Sequence, residues 1–262
     1  MRVLSKDSFS DFFSMVLTTT AIDFSLFSLG LGLCGLRFFN AFHKIGGARA
    51  GSKIGILLSV FFLSDAVAIG ILAIGAFSFT RNPEALYMLL VTSHIFLTIT
   101  AMSAAYTIFY IFFPSIPPWS AAVAALTLGM TIIIATIIAH PHPFLDAGGG
   151  IDWNMPQWLS TLFSSLLLLI IGAPLVIFGH SFLMAKSREV RMISLVLALA
   201  AFAGITNSLW RFLFSGGGVP LFWRTPIFDN IFAVMGLLFI GVFILPPVML
   251  KRFSHIAHNH SE

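Results

Sequence analysis

The stretch Ile54–Phe79, IGILLSVFFLSDAVAIGILAIGAFSF, runs for 26 residues with a single charged side chain, Asp65, near its middle. As a helix it is ~39 Å long, more than the ~30 Å hydrocarbon core of a bilayer. A helix on a water-soluble domain keeps a polar stripe for solvent, and this one has none. Its solvent is therefore lipid.

The rest of the chain agrees. Of 262 residues, 58% are hydrophobic and 9% charged, against about 25% charged in soluble domains. So few charges cannot cover a water-facing surface. The 29 phenylalanines suit lipid-facing and helix-packing positions. Besides 54–79, apolar runs of spanning length occupy 12–39, 85–113, 119–139, 158–184, 190–214 and 227–250. Prolines punctuate many of their ends, and Pro174 inside the fifth run predicts a kink there. Pro246 and Pro247 predict a late break in the seventh. The expected architecture is all-α, a bundle of seven transmembrane helices forming one domain over 1–262. The N-terminal run is too long for the core of a cleaved signal and reads as an uncleaved first span.

Orientation follows from the bases. Nine of them (Arg37, Lys44, Arg49, Lys53, Lys186, Arg188, Arg191, Lys251 and Arg252) fall on one side of a seven-span frame. Four (Arg2, Lys6, Arg81 and Arg224) fall on the other. Bases favour the inner side, so the N-terminus is expected outside and the C-terminus inside. The net charge of +4 is thereby used as an orientation signal, and no nucleic-acid motif accompanies it. The lipid bilayer is the expected partner, in a plasma membrane or bacterial-type inner membrane. The lone cysteine, Cys34, forms no intrachain disulfide and reads as a small packing residue.

Ionisable groups inside spans are costly and mark candidate sites. Asp23 and Asp65 each lie about eleven residues into a predicted span, so both are expected near mid-depth. His94 lies in the outer half of the third span. Asn207 and Arg211, four apart on one helix face, lie in the outer half of the sixth, and Asp229 opens the seventh. Together these six predict a polar, outward-facing cavity with Arg211 and Asp229 as an ion pair. The function expected is a non-enzymatic sensor-like or transport module. Lacking an evident soluble domain, it would act with a membrane or cytoplasmic partner subunit docked on its inner basic loops.

Two alternatives rest on other residues. His43 and His180 toward one side, with His94 and His140 toward the other, would suit axial ligation of haem b in an electron-transfer subunit. The longest polar interruption is the outer loop 140–158, HPHPFLDAGGGIDWNMPQW. Its His140, His142 and Asp146 offer nitrogen and oxygen ligands to zinc or copper, as a metal-dependent membrane enzyme would need. Asp152 is a second acid within reach in sequence. The loop also reads as a lid over the cavity, anchored by Trp153 and Trp158. The tail histidines His255, His258 and His260 read as a solvated terminus. A retinal Schiff base is not expected, because the seventh span has no lysine. No nucleophile elbow, helical zinc-protease pair or phosphate loop is present.

Overall fold

A computed structural model describes residues 19–43, 50–145, 151–186, 188–214 and 233–241. The helices are α1 (Thr19–His43), α2 (Ala50–Ser78), α3 (Pro83–Phe112), α4 (Pro118–Ala139), α5 (Gln157–Met184) and α6 (Arg188–Phe214). A further helical stretch, α7, covers 233–241. Between α4 and α5 lie two short strands, β1 (Phe144–Leu145) and β2 (Ile151–Asp152). The first five helices are each long and apolar enough to cross a membrane, as in a multi-pass membrane protein. The boundaries of α2 to α6 fall within a few residues of those expected from the sequence. Residues 12–18 of the first expected span, and both ends of the seventh with Pro246 and Pro247, lie outside the described residues.

Local sequence explains the helix ends. Asn82 caps α3 by accepting from the Ala85 amide at 3.0 Å, and Pro83 follows at the first helical position, where its missing N–H costs nothing. Pro118 opens α4 in the same way. At its other end α4 stops where His140 adopts a left-handed conformation (φ 42°) while its amide still donates to Thr136 O.

Helices pack in sequence order, α1 on α2, α2 on α3, α3 on α4 and α5 on α6, and α5 also packs on α3 and α4. With lipid outside there is little hydrophobic drive between helices, so close approach and hydrogen bonds decide the pairing. On α1 and α2 these come from small residues. Ser28 Oγ donates to Ala66 O (2.8 Å) and Ser59 Oγ to Gly35 O (2.9 Å). Ser103 Oγ donates to Leu57 O (2.7 Å) and Ser64 meets Thr100 (2.9 Å) between α2 and α3. The ring of helices closes through glycine. A Cβ on Gly30 would lie 2.6 Å from Gly236 O, and one on Gly236 would lie 2.7 Å from the Leu26 backbone. Only glycine at both positions lets α1 and α7 approach this closely. Cys34 belongs to the same seam, buried with Sγ 3.5 Å from Phe239 O.

Candidate functional site

Three places among the described residues gather chemically able groups: a cavity beside Asp65, the packed surroundings of His94, and a side-chain cluster at the α4–α5 connection.

Asp65 is 6% exposed. It lines a cavity of about 20 Å³ where α1, α2, α5, α6 and α7 meet, enough room for one water molecule. Ile170, Ile171 and Pro174 form one wall, Ala201 and Met235 another, and Leu31 with phenylalanines of α1, α2 and α7 the rest. Pro174 sits inside α5 without ending it. Because proline has no N–H, the Ile170 carbonyl loses its helical donor. Asp65 and the turn of α5 that lacks this donor, Ile170 to Pro174, thus both border one small void. No hydrogen bond links the Asp65 carboxyl to another described residue. Below the void, Phe62 meets Phe38 (5.5 Å), Phe178 (6.4 Å) and Phe239 (5.7 Å).

Asp23 is buried too, but at another level. The Ser28–Ala66 and Ser59–Gly35 bonds, with the approach of Gly32 to Ala66 and of Gly35 to Leu63, set an antiparallel register that puts Asp65 opposite residues 29–33 of α1. Asp23 is then about eight residues away, roughly 12 Å along the axis. Thr20 and Ala21, just before Asp23 on α1, meet Ile151 of the α4–α5 connection.

His94 is fully buried between α3, α4 and α5. Its Nδ1 lies 3.2 Å from Thr136 Oγ1, and its ring packs on Phe163 at 4.8 Å between centroids. The Thr136 hydroxyl proton is engaged with Ile132 O (2.8 Å), so Nδ1 donates to Thr136 and the neutral ring presents Nε2 as a bare acceptor. That Nε2 has no hydrogen-bond partner among the described residues. One turn along, Thr98 donates to the His94 carbonyl (2.8 Å) and sits directly against Gly129, where a Cβ would collide with it.

The cavity therefore gathers fewer of the expected residues than the sequence suggested. His94 is not among its lining residues. Asn207 and Arg211 lie on α6, but their side chains, like the whole of Asp229, are outside the described residues. What sequence inspection missed is the cavity's apolar wall. Pro174 was visible as a kink, but nothing in the chain linked it to Asp65.

The histidines named for haem occupy separate levels. α3 and α5 run parallel, with His94 beside Phe163 and Phe112 beside His180 (5.2 Å). His94 and His180 are thus roughly 27 Å apart along the bundle. His140 stacks on Tyr87 (4.1 Å), seven residues before His94, or about 10 Å. The side chain of His43 lies outside the described residues.

At the α4–α5 connection, ligand atoms of Glu84, His140 and His142 all lie within 4.8 Å of one another. His140 Nε2 is 3.4 Å from Glu84 Oε1. The acid placed beside the two histidines is thus Glu84, 56 residues earlier in the chain. Asp146 lies outside the described residues, and Asp152 is engaged locally, accepting from the Asn154 amide at 2.7 Å. The connection itself is built. Phe144 pairs with Asp152 and Leu145 with Ile151. Ile151 is buried against Ala21, Ala76 and Leu86, and its amide donates to Thr20 Oγ1 (3.2 Å). Trp153 packs beside it, while Trp158 is half exposed. This hairpin plugs the end of α1, α2 and α3. No known family model matches the chain, and no curated protein matches it either.

Proposed function

We propose that the chain is a seven-span membrane protein, N-terminus outside and C-terminus inside, that works as a transport or sensor-like module. Its site is the cavity beside Asp65, and its natural occupant is a proton, water or a small cation. One observation carries this reading: a buried acid lines a water-sized void next to a proline that frees a backbone carbonyl. An ionisable group in hydrocarbon is expensive, and a purely structural role calls for a partner that fills its hydrogen-bonding capacity. Here the group faces room instead. A carboxylate and a carbonyl together make a hard-oxygen donor pair suited to a proton or small cation.

Orientation is supported by the nine-to-four distribution of bases. The basic connections at 44–53 and 186–191 would face inward and offer a docking surface to a partner subunit. The expected location is a plasma or bacterial-type inner membrane. Topology is testable in a Cys34→Ala background with single cysteines at Asn154 and Ser187, labelled by an impermeant maleimide on intact cells. Labelling of the second before the first would reverse the orientation.

Function is tested in proteoliposomes with an entrapped pH dye, under imposed proton, Na⁺ or K⁺ gradients. The parent is expected to carry flux that Asp65→Asn abolishes while inserting and purifying normally. Equal flux from parent and variant would overturn the role of Asp65. The haem alternative has a direct check, a Soret band in protein expressed with added haem, and the offset of about 10 Å along the bundle between His94 and His140, the pair at one end, weighs against it.

A further inference from the structure

We propose that Glu84, His140 and His142 form a binding site for one divalent transition-metal ion, Zn²⁺ or Cu²⁺, at the end of the bundle that carries the α4–α5 connection. The three ligands come from two helix ends brought together by the α3–α4 packing. Glu84 is held in the first turn of α3 by the Asn82 cap and Pro83. His140 is the left-handed residue that ends α4, a conformation that costs a non-glycine side chain energy and turns the chain back over α3. The turn lays its ring on Tyr87 at 4.1 Å, with Nε2 toward Glu84. His142 stands between Pro141 and Pro143, both buried, which stiffen the segment. Asn154 Nδ2 donates to the His142 carbonyl (3.4 Å) and ties this segment to the hairpin.

The distances fit a site poised to close. Bonds of 2.0–2.1 Å in a tetrahedral zinc centre place ligand atoms about 3.3 Å apart. The present atoms lie within 4.8 Å, so shifts of roughly 1 Å by the exposed Glu84 and His142 side chains would complete the contact. The plain alternative is a surface His–Glu contact. At 3.4 Å it is long for a hydrogen bond, and it is the one contact Glu84 makes among the described side chains. It also leaves His142 with only an edge-on ring contact to His140 (5.1 Å) among the ring contacts and hydrogen bonds of the described side chains. Two imidazoles and one carboxylate leave a fourth position for water, and the nitrogen donors select zinc or copper over calcium or magnesium. Neither Asp65 nor His94 takes part, so the site stands or falls independently of the cavity.

The test uses the full chain purified in detergent, with His255, His258 and His260 replaced by alanine so that the tail cannot contribute. Zn²⁺ is titrated in competition with a chromophoric chelator, and Cu²⁺ is followed by its electron paramagnetic resonance. The expected result is one equivalent per chain, with two nitrogen ligands in the copper spectrum. His142→Gln and Glu84→Gln, both at exposed positions, should each weaken binding at least tenfold, as loss of even a supporting group does, and His140→Ala/His142→Ala should abolish it. No uptake by the tail-free parent, unchanged affinity in Glu84→Gln or His142→Gln, or equal affinity for Mg²⁺ would each overturn the proposal.

Discussion

Asp65 and His94 are both buried ionisable residues at the heart of apolar helices, yet their surroundings are opposites. His94 is clamped. Thr136 holds one ring nitrogen, Phe163 covers the ring, and Gly129 brings α4 hard against Thr98 one turn away. Asp65 faces a void with a proline-interrupted helix across it. Tight packing makes a polar group a fastening between helices, whereas room beside it leaves a place for something to bind or pass. Two buried ionisable residues thus differ in the volume around them, and the proposed role of Asp65 rests on that difference.

Substitutions can break this contrast or sharpen it. The largest effect belongs to Gly129→Leu, which drives a side chain into Thr98 where even a Cβ does not fit. A loss of about 3 kcal/mol or more is expected, seen as collapse of the monodisperse yield in detergent. Normal yield would show that the clamped half can give way. His94→Ala empties the space under Phe163 and should cost about 3 kcal/mol in reversible denaturant unfolding, within the range for large-to-small core changes. Thr136→Val keeps the shape but strips the partner from Nδ1, for about 1 kcal/mol. Asp65→Leu should change stability by less than about 1 kcal/mol, in either direction, because an apolar side chain suits the void and no hydrogen bond to a described residue is lost. Flux should nonetheless disappear. If Asp65→Leu destabilises as much as His94→Ala, the contrast is gone, and Asp65 is a fastening too.

The helices were plain in the sequence, because a run such as 54–79 satisfies a length and polarity requirement that lipid imposes on each span separately. Pro83, Pro118 and Pro156 marked helix starts for an equally local reason. The site was legible only in part. Asp65, His94, His140 and His142 stand out as expensive or chemically able residues, but the residues that give them meaning carry no signal. Glu84 is one exposed acid among several, Thr136 one threonine in an apolar helix, and Ile170 an ordinary isoleucine until Pro174 frees its carbonyl.

The sequence by itself determined the solvent of this protein, the number and length of its apolar runs, and which side chains are costly to bury. These follow from composition counted along a single strand of chain. Only the tertiary structure decided that Asp65 borders a cavity while His94 does not, that Asp23 and Asp65 are offset along the helix pair, and that Glu84, from the start of α3, meets His140 and His142. Those outcomes depend on the register and closeness of helix pairs. Register and closeness are set by glycine contacts and serine bonds between residues as far apart as Gly30 and Gly236, a relation that spacing along the chain does not encode.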